Sequence, residues 1–165
     1  MNNLRFFPGY DFYNSSSKAN GEFHCENIAF VGYRSFYICK FIGNFYAPKC
    51  RFFDYQVFAN SNFTGNFFAP KCEQIGQQAF RESNFKGALS LPVCTQIGEY
   101  AFRKSNFKGA LSLPVCEQIG QQAFRESNFS EITIGANAVL GETCIGAHST
   151  EFIQDYADNG KLGGT

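Results

Sequence analysis

Two histidines and seven cysteines are the residues of this chain best suited to acid–base, nucleophilic or metal chemistry. Their spacing argues against all three. A general base must stand within hydrogen-bond reach of its nucleophile, and metal ligands must cluster. His24 and His148 lie near opposite ends of the chain. Cys50, Cys72, Cys94 and Cys116 recur every 22 residues, without the CxxC pairing of a zinc site. Cys25, Cys39 and Cys144 complete the set. A thiol repeated once per unit reads as a small apolar core side chain, not as half of a disulfide framework. Such reduced, buried cysteines fit a reducing compartment. No phosphate-cradling loop and no Ser/His/Asp set is present. The expectation is a non-enzymatic protein with no catalytic residue, no metal and no cofactor.

The elements that must position any functional side chain are written by repetition. Residues 62–83 read NFTGNFFAPKCEQIGQQAFRES, 84–105 read NFKGALSLPVCTQIGEYAFRKS, and 106–127 read NFKGALSLPVCEQIGQQAFRES. The same spacing continues outward as columns. Phe41, Phe63, Phe85, Phe107 and Phe129 form one; Phe36, Phe58, Phe80, Phe102 and Phe124 form another. Val31, Phe53, Ile75, Ile97 and Ile119 form a third, and Pro48, Pro70, Pro92 and Pro114 a fourth. A period of this length means stacked units, none of which buries its apolar face alone. About six coils are expected over residues 19–146, in one domain. Residues 1–18, rich in Phe and Tyr, should cap the first coil. Residues 147–165 should form a capping helix and tail, with Thr150 as N-cap and Gly160 beyond the C-terminus.

Within a coil, Gly87-Ala88-Leu89-Ser90-Leu91 alternates at period two, so Leu89 and Leu91 face inward while Ala88 and Ser90 face outward. Pro92, lacking an N–H, ends the strand. Ile97-Gly98 should turn the chain, and Ala101-Phe102 should anchor a short return on the opposite wall. Asn62, Asn84, Asn106 and Asn128 should bond neighbouring backbone as a ladder.

This register exposes a candidate binding surface. The outward column next to the prolines runs His24, Tyr46, Phe68, Ser90, Ser112. The adjacent one runs Glu22, Asn44, Asn66, Ala88, Ala110. His24, Asn44, Tyr46, Asn66 and Phe68 therefore make an aromatic, amide-rich area suited to stacking on a sugar or a peptide side chain. The competing expectation is that segment 1–18 folds back over Tyr46 and Phe68. Arg81, Arg103 and Arg125 form a basic column, but Glu82 and Glu126 beside them suggest a solvated, ion-paired ridge. With 14 basic and 14 acidic residues, a nucleic-acid partner is not expected. No apolar run is long enough to cross a bilayer. The opening residues lack the basic and apolar regions of a signal peptide, which predicts a cytoplasmic location or export by another route.

Units of the form L-P-x-C-x-x-I-G-x-x-A-F, as at residues 91–102, resemble the BspA-like, or treponemal-type, leucine-rich repeats of bacteria. The I-G-x-x-A-F portion recurs at 75–80, 97–102 and 119–124. The resemblance implies a right-handed leucine-rich-repeat solenoid with a parallel sheet on its concave face and short strand or 3-10 returns. It also implies an interaction or adhesion role, with a protein or glycan ligand on the concave side of the N-terminal coils. The alternative is a structural, self-associating component of a larger assembly, such as a virion tail or a surface array.

Overall fold

The computed structural model describes residues 5–18 and 20–145. The chain winds as a parallel β-solenoid of about six turns, and the central turns each advance 22 residues, as the pairing of Phe23 with Phe45 and of Phe45 with Phe67 shows. One wall is a seven-stranded parallel sheet. It contains β1 (Phe6–Gly9), β3 (Phe30–Tyr33), β5 (Phe52–Phe53), β7 (Gln74–Ile75), β9 (Gln96–Ile97), β11 (Gln118–Ile119) and β13 (Val139–Leu140), in that order. A second wall is divided. β2 (Asn20–His24), β4 (Ile42–Tyr46) and β6 (Phe67–Phe68) form one half; β8 (Leu89–Ser90), β10 (Gly109–Leu113) and β12 (Phe129–Ile134) form the other. The ladder is interrupted between β6 and β8.

Alternation sets which side chains enter the core. Phe45, Phe67, Leu89 and Leu111 are buried, whereas their neighbours Phe68 and Ser90 are exposed and Tyr46 is half-buried. From the opposite wall Val31, Phe53, Ile75, Ile97 and Ile119 point in. Phe36, Phe58, Phe80 and Phe102 stack face to face, each centroid 5.1 Å from the next. That distance matches the spacing of adjacent parallel strands, about 4.8 Å. Equivalent rings in successive coils therefore meet at van der Waals contact without any adjustment of the backbone.

The return path differs from the expected turn at Ile97 and from a 3-10 segment. Ile97 closes β9, because its inward side chain and backbone are paired with Ile75 and Ile119 on either side. The chain turns afterwards through overlapping tight turns. Gln78 and Glu82 lie in the left-handed region, as do Gln56 and Asn60, Tyr100 and Lys104, and Gln122 and Glu126. Turn bonds Ala79 N–H to Gly76 O, Arg81 N–H to Gln78 O and Ser83 N–H to Phe80 O hold one coil. The intervening amides Gln78, Phe80 and Glu82 donate to Glu99, Ala101 and Arg103 of the next coil at 2.9, 2.7 and 2.9 Å. Left-handed residues reverse the peptide plane, so alternate N–H groups face the neighbouring coil and none of these donors is left unpaired.

Gly98 is required by close approach. A Cβ there would stand 2.5 Å from Gln77 N and 2.6 Å from Gly76 C. The asparagine ladder forms as expected: Asn106 Nδ2 donates to Asn84 Oδ1 at 2.9 Å, and Asn84 Nδ2 to Ser61 O at 3.2 Å. All seven cysteines are buried and free. The Sγ atoms of Cys50, Cys94 and Cys116 donate to the carbonyl two residues on, at 3.3–3.4 Å. Burial pushes the thiols of Cys25, Cys50 and Cys116 up to about 12 and those of Cys39 and Cys144 to about 11. Thiolate chemistry is closed to them while the fold is intact.

The last coil is one residue short, and the sheet absorbs this locally. Gly109 pairs with Phe129 but Ala110 pairs with Glu131, a shift of register that leaves Ser130 as the odd residue. The capping helix expected within 147–165 lies outside the described residues, and no helix occurs among the described ones. Accordingly, no helix among them is long and apolar enough to cross a membrane.

Candidate functional site

β2, β4 and β6 bring the outward residues of three coils into one row. Their register places His24 opposite Tyr46 and Tyr46 opposite Phe68. The His24 and Tyr46 rings stack at 4.9 Å with an 11° interplanar angle, and Tyr46 meets Phe68 at 6.1 Å. Phe68 keeps 48% of its surface exposed.

Both nitrogens of the His24 ring are engaged. Nε2 lies 2.9 Å from Glu22 Oε2 and Nδ1 lies 3.1 Å from Glu26 Oε1. The hydrogen bonds to Glu22 and Glu26 hold the imidazole above its ordinary pKa, and the bond to His24 holds Glu22 below the usual carboxylate range. When protonated, the imidazolium stacked on Tyr46 forms a cation–π pair. With both ring nitrogens engaged by carboxylates, His24 has no free nitrogen to serve as a base. Tyr46 OH also donates to Glu22 Oε1 at 3.4 Å.

Asn44 and Asn66 have different surroundings. Asn44 Oδ1 accepts the backbone N–H of Asn66 at 2.7 Å. That bond substitutes for a strand contact where the chain enters β6, so Asn44 is committed to the scaffold. Asn66 stays exposed and lines a groove.

The groove is what the sequence reading missed. It has a volume near 320 Å³ and runs across the break between β6 and β8. Tyr46, Asn66, Phe68 and Pro70 line one side; Ala88, Ser90 and Pro92 line the other. Small residues at 88 and 90 look featureless in sequence, yet they make the hollow beside Phe68. The available signal was the size step within one column, from Phe68 to Ser90.

The described part of segment 5–18 does not cover this face. β1 adds to the other sheet. Phe7 and Phe12 pack against Phe36, Tyr10 meets Tyr33 at a tilt, and Tyr13 stacks on Tyr37.

A larger groove of about 420 Å³ lies on the seven-stranded sheet, between Phe30, Phe52, Gln74, Gln96 and Gln118 and the backbone of Gly76 and Gly98. Its size follows from the glycine column that lets the coils close up. Phe52 in it is half-buried and already covered by the Arg51 guanidinium at 5.4 Å. The smaller groove presents the barer aromatic surface and is the better candidate. Among the described residues no three His, Cys, Asp or Glu side chains gather as metal ligands. The basic column is paired: Arg81 with Glu82 at 3.0 Å, and Arg103 and Arg125 with Glu126 at 3.8 and 3.4 Å.

The family described as BspA type leucine-rich repeat region matches this chain in six copies, over residues 1–86 and 73–149. No curated protein and no solved structure matches it.

Proposed function

We propose that this protein, which belongs to the BspA-type leucine-rich-repeat family, is a non-enzymatic recognition module that binds a protein or glycan. The family supports an interaction or adhesion role in general terms. Our reading goes further and assigns binding to the wall of β2, β4 and β6, taken as the concave side, with Tyr46, Phe68 and His24 as contacts.

The observation that carries the assignment is the half-exposed Phe68 beside an open groove. The scaffold does not need an aromatic ring there, because Ser90 and Ser112 hold the equivalent position in later coils with the same strand pairing. Exposed aromatic surface that the fold does not require is surface available for a ligand. Asn66 and Ser90 supply polar groups at the groove, and His24 with Glu22 and Glu26 forms a polar cluster at one end of the row. Screening the protein against glycan and peptide arrays, with Tyr46→Ala and Phe68→Ala in parallel, tests this. Hits from the wild type should weaken at least tenfold in each variant; hits that bind both variants unchanged refute the face.

A second reading, a component that assembles with its own copies, draws on the end strand β1, where Phe6 is 54% exposed. Sedimentation across a concentration series separates the two. Defined oligomers abolished by Phe6→Ser favour assembly, and a monomer at every concentration eliminates it.

A further inference from the structure

The corner that follows the seven-stranded sheet carries a second surface, on a different side of the solenoid from the groove at Phe68. Five tyrosines converge there. Tyr33 stacks on Tyr55 at 5.4 Å and Tyr13 on Tyr37 at 5.6 Å, each pair within 11° of parallel. Tyr10 bridges the two stacks, 5.2 Å from Tyr33 and 5.3 Å from Tyr13. Tyr10 and Tyr13 are exposed and the other three half-buried.

Arg34 sits at the centre. Its guanidinium carbon lies 5.0 Å from the Tyr33 ring, 5.1 Å from Tyr37 and 5.9 Å from Tyr55. Its Nε donates to Gln56 Oε1 at 2.6 Å, which fixes the plane of the group. Among the described residues Arg34 forms no ion pair, whereas Arg51, Arg81, Arg103 and Arg125 each do. Among the described residues, Asp11 accepts from Gly9 N–H and Ser35 OH, and Asp54 from Tyr55 N–H.

The fold does not demand this cluster. Gln77, Glu99 and Gln121 stand one, two and three coils after Tyr55 in the same column, and Gln56, Gln78, Tyr100 and Gln122 follow Arg34 in its column. The left-handed φ of Arg34 recurs at all four of those positions, so it belongs to the coil and not to the cluster. What is particular to the first coils is an oriented cation framed by phenol rings.

We infer that this tyrosine–arginine surface binds an acidic glycan, with one sugar carboxylate on Arg34 and adjoining sugar rings on Tyr10 and Tyr13. The charge is complementary, since among the described residues the guanidinium has no ion-pair partner, and its terminal N–H groups match a carboxylate in fork geometry. Ring faces suit the C–H faces of sugars, and phenol hydroxyls at their edges suit a hydroxyl-rich ligand. A single cation among five phenols fits a polymer with its anions spaced by neutral hydroxylated units better than one with a charge on every residue.

Calorimetric titration with hyaluronan oligosaccharides, the same oligosaccharides with their carboxyls reduced, and a polyglutamate peptide tests the inference. The acidic sugar should bind. Reduction of its carboxyls and Arg34→Gln should each weaken binding about tenfold or more, and Tyr10→Ala and Tyr13→Ala severalfold each. Tyr10 and Tyr13 are exposed, so their variants test the surface even if Arg34→Gln disturbs the Gln56 contact. Tyr46→Ala and Phe68→Ala should leave this binding unchanged, which separates its failure from failure of the β2–β4–β6 assignment. Absence of binding by the wild type, equal affinity for the carboxyl-reduced sugar, or tighter binding of polyglutamate overturns it.

Discussion

Phe67 and Phe68 are adjacent in β6, and replacing each by alanine should have opposite consequences. Phe67 is 6% exposed and Phe68 48%. The Phe67 ring touches Phe45, Phe53, Phe58, Phe80 and Phe85 at centroid distances of 4.8–5.9 Å. Truncating it removes a fully packed ring and leaves a cavity that rigid neighbours cannot fill, so Phe67→Ala should cost about 3–5 kcal/mol. At about 2–4 °C per kcal/mol for a chain of this size, the melting temperature should fall by roughly 10 °C. Among the described residues Phe68 has one ring neighbour, Tyr46 at 6.1 Å. Phe68→Ala should cost about 1 kcal/mol or less, a shift of roughly 3 °C. Thermal and urea unfolding followed by far-ultraviolet circular dichroism measures both. Binding should show the reverse order, with Phe68→Ala losing ligand. Equal destabilisation, or a larger loss for Phe68, would show that the strand is out by one residue and that the outward row is misassigned.

Gly98→Ala should destabilise by about 1–3 kcal/mol, because its methyl would press on backbone of the preceding coil that cannot rotate away; a neutral result in urea unfolding would show that the coils are less tightly closed. His24 is held above its ordinary pKa, so its contribution is complete below the unfolded value and is lost as pH rises through the folded one. Glu22 is held below its ordinary pKa, so its contribution is present above the unfolded carboxylate value and disappears as pH falls through the folded one. Glu22→Gln should therefore lower the His24 pKa in an NMR titration, and an unmoved titration would remove the ion pair. The seven thiols should resist an aromatic disulfide reagent in the native protein and all react in denaturant; fast native labelling would contradict their burial.

Much of the scaffold was legible in the sequence because a repeat states its geometry many times. The Phe, Ile, Cys and Asn columns recur at a fixed interval, and identical side chains one coil apart can only form ladders. The alternation around Leu89 likewise named Tyr46 and Phe68 as outward residues. Local pattern could not reveal the left-handed residues of the return path. Gln78, Glu82 and Lys104 are not turn formers by type, and they are held at positive φ by bonds to the next coil, which are tertiary contacts.

The period, the inward and outward faces and the core placement of the cysteines were thus decided by sequence alone, since each depends only on spacing and side-chain chemistry. The tertiary structure decided the rest. It sent the described part of the N-terminal segment to the opposite sheet and left Phe68 bare. It broke the second wall between β6 and β8, so that Ala88 and Ser90 became one side of a groove. It also gathered Tyr10, Tyr13, Tyr33, Tyr37 and Tyr55 around Arg34. Those outcomes depend on which coil end the cap covers and where one ladder stops, and both are settled by packing between segments far apart in the chain.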